Sequence, residues 1–140
     1  MVESNKHIAI KLANEEYAIP VRQVREIVGV LPATVVPGTA PHVLGVMNLR
    51  GKVVPVLDLR ARLGLPRATI APRSCIVVCQ GPAGQIGLLV DSVLEVVAIP
   101  ESDCEPRPVI AGDAVTALAK VRGRVVILLD IDQVASSLAA

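Results

Sequence analysis

Residues 45–65 read GVMNLRGKVVPVLDLRARLGL, and the fold follows from how this stretch is punctuated. Two apolar runs, residues 44–49 and 53–57, are broken by Gly51, and β-branched runs parted by one glycine predict a hairpin with a tight turn. Asp58 then stands where its carboxylate can accept the free N–H groups of a first helical turn, and Gly64 where a left-handed C-cap would end a short helix. The chain writes this pattern twice. Residues 50–59, RGKVVPVLDL, and residues 122–131, RGRVVILLDI, are identical at six of ten positions at an offset of 72.

Upstream the repeat continues at a slightly different offset. Val21, Val24, Glu26, Ile27 and Val28 of VRQVREIV align with Val90, Val93, Glu95, Val96 and Val97 of VDSVLEVV at an offset of 69. Before these, IAIKLANEEYAIPV from Ile8 matches IVVCQGPAGQIGLLV from Ile76 as strand, polar turn, strand. Each half therefore carries about five short strands, the size of a small barrel. We expect an all-β protein of two pseudo-equivalent five-stranded units, with short helices after Asp58 and, at the C-terminus, from Asp130 through residue 138.

Composition agrees with sheet. Of 140 residues 52% are apolar, yet there is no Phe or Trp and a single Tyr, so Val, Leu, Ile and Ala must build the core. A net charge of +1 without blocks of like charge leaves no footprint for a phosphate backbone, and one aromatic gives no stacking platform, so nucleic acid is not an expected partner. Residues 27–49 carry no formal charge over 23 positions, but Pro32, Pro37, Pro41, Gly29, Gly38 and Gly45 interrupt them as no spanning helix would be written. Membrane insertion is not expected. Residues 1–6 read as a loose tail without the features of a signal peptide, which predicts a cytoplasmic location.

Along the chain, the first strand pair turns at residues 13–16, and a bend and strand cover residues 21–30. Residues 34–41 and 101–112 read as corresponding proline-containing loops, and residues 66–73 as a linker. Pro55 predicts that its strand lies at an edge, or where the missing N–H is not needed. Cys75 and Cys79 fall on one strand, about 13 Å apart by strand rise, too far for a disulfide. With Cys104 they read as small apolar residues, and no cofactor or metal is expected. His7 and His42 stand near a terminus and in a proline loop, neither with a partner placed for catalysis or metal binding, and they receive no role.

The strings LGVMNLRGKVVPVLDLRARLGL, EEYAIPVRQVREIV, IGLLVDSVLEVVAIP and RVVILLDI together resemble the CheW family, the coupling proteins of bacterial chemosensory arrays. The resemblance runs from about residue 8 to residue 138, as one domain over residues 7–139. It implies two small β-barrels side by side, in lobes of about residues 7–65 and 74–139, with exchange of a terminal strand between them left open. It also implies a scaffold that binds the cytoplasmic tip of a methyl-accepting chemoreceptor and the homologous regulatory domain of the histidine kinase CheA, at arrays beneath the inner membrane, with ring assembly alongside the kinase. Positions matching Val24, Glu26 and Arg50 are implied to face the receptor, the Glu and Arg pairing near the rim of an apolar groove between the barrels. Val21, Ile27 and Asn48 are weaker candidates beside them, with core packing the competing role for Val21 and Ile27. The second copy keeps Glu95 and Arg122 but has Lys120 where the first has Asn48.

Two other functions were weighed on the residues. A self-associating β module without a receptor is compatible with the apolar surplus. A small hydrolase would use Asp58 and Asp130 as a dyad, one carboxylate per half, as aspartic proteases do. Those enzymes follow each Asp with a small residue and a glycine, whereas Leu59 and Arg60 follow Asp58, and Ile131 and Asp132 follow Asp130. Helix capping explains both carboxylates. Combined Asp58→Asn and Asp130→Asn, keeping cap acceptors, is expected to leave partner binding in a pull-down intact; loss of a hydrolytic activity in the same variant would instead make the pair a dyad.

Overall fold

The structure is a computed structural model that describes residues 5–67, 69–109, 111–136 and 138–139. In chain order the first half contributes β1 (Lys6–Leu12), β2 (Glu15–Pro20), β3 (Val24–Gly29), β4 (Val43–Leu49), β5 (Lys52–Asp58) and α1 (Leu59–Arg62). The second contributes β6 (Cys75–Gly81), β7 (Gly84–Val90), β8 (Ser92–Ala98), β9 (Cys104–Pro106), β10 (Val115–Val121), β11 (Arg124–Leu129) and α2 (Ile131–Val134). The protein is all-β, with short helices and two sheets. One has five strands in the order β3-β6-β7-β5-β4, the other six in the order β8-β1-β2-β11-β10-β9.

These orders are the same order. Replacing each strand by its repeat equivalent turns β3-β6-β7-β5-β4 into β8-β1-β2-β11-β10, and β9 is the addition. Register is preserved as well: the parallel ladder pairs Val56 with Gly87 in one sheet and the equivalent Leu128 with Ala18 in the other. Each sheet thus takes the first two strands of one half and the remaining strands of the other. The chain crosses between sheets twice, from β2 to β3 through a 3-10 turn at Val21–Gln23, and from β7 to β8 through Asp91 alone.

Why this packs follows from the period of two. On β1, Ile8, Ile10 and Leu12 face the layer between the sheets, while Ala9 faces the interior of the six-stranded unit with Ala18, Val97, Val126 and Leu128. On β6, Val77 and Cys79 face the same middle layer, and Ile76 and Val78 face the interior of the five-stranded unit with Met47, Val54 and Val56. Strands buried on both faces must be apolar at nearly every position, and each Leu or Ile taken fully out of water contributes about 1.5–3 kcal/mol. The middle layer also takes Leu57, Leu59, Leu129, Ile131 and Val134, so the seam between the sheets is filled by side chains.

Both hairpins turn as the repeat predicts. Arg50 and Gly51 have φ of 52° and 86°, Arg122 and Gly123 of 51° and 79°. Two central residues with positive φ make the turn that matches strand twist, at an uncommon conformation for arginine. Asn48 Oδ1 accepts from the Gly51 N–H at 2.8 Å, holding the first turn; Lys120 has no acceptor to do so in the second. Asp58 caps α1 by accepting from the Ala61 N–H at 3.4 Å, and Asp130 caps α2 from the Gln133 N–H at 3.2 Å. Gly64, φ 83°, closes α1 with its N–H on Ala61 O at 3.0 Å while Leu65 N–H reaches Arg60 O at 2.8 Å, the paired bonds of a left-handed cap.

Several expectations are corrected. Of the expected tail, residues 1–4 lie outside the described residues, and β1 already begins at Lys6. The first turn is only Ala13 and Asn14, since β2 starts at Glu15. The loop of residues 101–112 contains a 3-10 turn, Glu101–Asp103, and the short strand β9, which pairs with β10 and makes that sheet six-stranded. The C-terminal helix is one turn; residues 137 and 140 lie outside the described residues.

Pro55 is on an inner strand rather than an edge, and its neighbours explain why this is tolerated. Val46, opposite it, exchanges both backbone bonds with Thr34 (2.8 and 2.9 Å), turned away from β5, and the ladder to β7 begins only at Val56. The same Thr34 constrains Gly45. With φ 140°, a Cβ at Gly45 would stand 2.1 Å from Thr34 O, whereas one at Gly29 meets nothing within 4 Å. Gly45→Ala is expected to lower the free energy of unfolding by about 3 kcal/mol or more. Gly29→Ala serves as the near-neutral control, both read from urea midpoints.

Candidate functional site

Strand β3 is one edge of the five-stranded sheet and β4 the other. Glu26 lies on β3 just past an irregularity in its ladder with β6, where the register shifts between Val24 and Glu26, a device that re-aims a side chain. Arg50 lies in the β4–β5 turn at the opposite edge, and its guanidinium donates to the Glu26 carboxylate. This pair therefore ties edge to edge, curling the sheet on itself. The Arg50 side chain remains 68% exposed, so most of its fork and stem face outward.

The other candidates divide. Val21 and Val24 pack against the middle apolar layer, so core packing accounts for both. Ile27 is 43% exposed on the outer side of β3. Asn48 is exposed and engaged in the turn beside Arg50. The structure thus brings Glu26, Arg50 and Asn48 to one rim of the five-stranded unit, with Ile27 on the same edge strand. The apolar groove expected between the barrels is occupied by the core itself.

Sequence reasoning overlooked the neighbours of this rim. Val53, directly across from Asn48, is 72% exposed, and its equivalent Val125, across from Lys120, is 53% exposed. The signal was present in the doublets Val53-Val54 and Val125-Val126, because in a strand one of two adjacent valines must point outward. Val96, the equivalent of Ile27, is likewise 63% exposed. Each unit therefore carries two exposed apolar side chains, one on β3 or β8 and one on β5 or β11, together with an Arg–Glu pair.

The two rims differ in charge. Arg122 donates to Glu95 at 3.1 Å, but Arg124 also approaches Glu95 at 3.8 Å and holds Glu16, with Nη2 to Oε2 at 3.3 Å. In the five-stranded unit the equivalents of Arg124 and Glu16 are Lys52 and Gln85. Among the described residues Glu26 and Arg50 stand as a pair, whereas Glu95 and Arg122 belong to a network. Exposed pairs add little stability, so the arrangement matters for what can dock on it.

Other chemistry-bearing groups are engaged structurally. Asp58 is buried, caps α1 and stands 3.7 Å from Arg67, while Asp130 caps α2. Arg62 of α1 donates to the Val134 and Gln133 carbonyls at 2.9 and 2.6 Å, serving the C-terminal end of α2. Burial pushes the Cys79 thiol up to about 12, far from thiolate chemistry at neutral pH. Among the described residues no group of three or more His, Cys, Asp or Glu is placed to hold a metal ion, and no helix is long and apolar enough to cross a membrane.

The model of the CheW-like domain family matches residues 6–139. The chain is 38% identical over 131 residues to the Chemotaxis protein CheW of Rhizobium meliloti, covering 91% of this chain and 84% of that one. It is 40% identical over 106 residues to the Probable chemotaxis protein CheW of Rhizobium etli, covering 76% and 68%. Its fold is similar to the crystal structure of scaffolding protein TtCheW from Thermoanaerobacter tengcongensis, with a TM-score of 0.88 at 31% identity over 95% of this chain and 93% of that one.

His7, without a role in the sequence, is buried on β1 with Nδ1 2.9 Å from the Asn5 carbonyl. Burial lowers its pKa below the ordinary 6.5, the nearby Arg22 adds to this, and the Asn5 carbonyl opposes it. The folded chain thus takes up this proton less readily than the unfolded one. Its contribution to stability is complete above the unfolded pKa and is lost as pH falls through the lower folded value. Urea midpoints are expected to drop as pH falls below about 6.5, and His7→Gln to flatten that drop.

Proposed function

The chain belongs to the CheW-like domain family, and on that premise we propose that it is a chemotaxis coupling protein, holding the cytoplasmic tip of a chemoreceptor and the regulatory domain of the kinase CheA together without breaking or forming covalent bonds. The observation that carries this is the likeness, over 95% of the chain and at 31% identity, to a scaffolding protein of known structure. Its place of work on this reading is the cytoplasmic side of a receptor array.

Physical features of the chain support the role. An adaptor needs two faces, and the duplication supplies two similar but unequal rims. On the five-stranded unit, Arg50 and Glu26 pair at the rim, Ile27 is exposed on the same edge strand as Glu26, and Asn48 and Val53 lie across from one another beside the Arg50 turn. A receptor helix can lay apolar side chains on this edge while a carboxylate shares the Arg50 fork bidentately. The six-stranded unit, where Glu95 is already held by two arginines, offers an apolar edge at Val96 and Val125 with less charge free to be shared. That suits a second, different partner.

Co-sedimentation with a receptor cytoplasmic fragment and with CheA tests the assignment. Arg50→Glu places two carboxylates together and is expected to cut receptor binding tenfold or more while the circular dichroism spectrum and CheA binding hold. Receptor binding unchanged in a folded Arg50→Glu chain would show that the receptor sits elsewhere.

A further inference from the structure

Among the described residues the backbone passes between the sheets at two places, and the repeat makes them equivalent: Asp91 corresponds to Arg22, and Arg60 to Asp132. At the crossing from β7 to β8, Asp91 is bonded from both sides. Its N–H donates to Lys11 O at 3.1 Å, and its Oδ2 accepts from the Ala13 N–H at 2.8 Å, both on the β1–β2 hairpin of the six-stranded sheet. Its Oδ1 accepts from Arg60 Nε at 2.9 Å, and Arg60 Nη2 also donates to Oδ2, from the helix that follows β5 of the five-stranded sheet. The Arg60 and Asp91 side chains are only 22% and 20% exposed.

At the equivalent crossing the charges are exchanged and the link is weaker. There Gln23 Nε2 donates to Asp132 Oδ1 at 3.1 Å and to Gln80 O at 3.3 Å, a neutral amide in place of a guanidinium fork. Arg22, Gln23, Asp132, His7 and Asp130 line an open cavity of about 360 Å³ at this place.

Apolar contact between the sheets is strong but has no direction, and layers of Ile, Leu and Val can shear over one another. Charge-assisted bonds from a planar fork are directional, and partial burial spares them from screening. We propose that Asp91 and Arg60 are positioning residues that fix the angle between the two sheets, with the Val21–Gln23 crossing as the compliant side. Burial would raise the Asp91 pKa, but the Arg60 hydrogen bonds, the Ala13 N–H and the charges of Arg60 and Lys11 outweigh it and hold it low, so the brace is charged at neutral pH. Since Glu26 and Ile27 ride on the five-stranded sheet, this angle sets where they face relative to the other sheet, whatever partner they meet.

Residual dipolar couplings of the backbone amides read that angle directly. In the parent chain and in Gln23→Ala, one alignment tensor is expected to fit both sheets. In Asp91→Asn and Arg60→Lys, each sheet is expected to fit its own coordinates while the two tensors differ in orientation. One common tensor in both of these variants would overturn the proposal, as would equal divergence in Gln23→Ala. Should Asp91→Asn fail to fold, Arg60→Lys decides by the same criterion.

Discussion

The apolar layer between the two sheets is the constraint on which everything else rests. It draws Ile8, Ile10 and Leu12 from the first half and Val77, Cys79 and Leu88 from the second, and it exists only because β1, β2, β6 and β7 are buried on both faces. Those four strands sit in the middle of their sheets, and they are the ones each half lends to the other's unit. Core formation and strand exchange are therefore one event. A half-chain would expose both faces of its first two strands, an apolar surface that water does not tolerate in a stable domain.

What was legible in the sequence is what local physics decides. The doubled RG dipeptide marked both hairpin turns, and Asp58, Gly64 and Asp130 marked the caps; the positive φ of Arg50 and Arg122 came only with the structure. The opposition of Glu26 and Arg50 was readable through the family resemblance, and the geometry brings them into contact. What was not legible is partnership. Periodicity tells which face of a strand is buried but not which strand lies beside it, so the pairing of β2 with β11, Tyr17 beside Ile127, left no local mark. Which of the two settings expected for Pro55 applies was unreadable for the same reason: its N–H is not needed because Thr34, 21 residues away, occupies the backbone of Val46. The outward valines were readable and were passed over, because two apolar residues in a row suggest core before they suggest surface.

Departures from pseudo-symmetry are concentrated at the rims and at the crossings. Lys52 and Gln85 stand where Arg124 and Glu16 form part of a network, Lys120 stands where Asn48 braces a turn, and Arg22 and Asp132 reverse the signs of Asp91 and Arg60. Interior positions, by contrast, stay apolar: Leu128 for Val56, Ile131 for Leu59, Ala119 for Met47. Burial holds both copies to apolar side chains even where their volumes differ. Surfaces carry no such restriction, and it is there that two copies of one unit come to differ.

The reciprocal exchange of strands has a consequence for how such a chain can have arisen. Two unlinked halves with this topology would complete one another only as an intertwined dimer, and its folded fraction would fall on dilution. Joining them through residues 66–73 makes the encounter intramolecular, so each half meets its complement at a fixed effective concentration. Fusion of such halves turns a bimolecular equilibrium into a property of one polypeptide, and frees the two copies from having to remain identical.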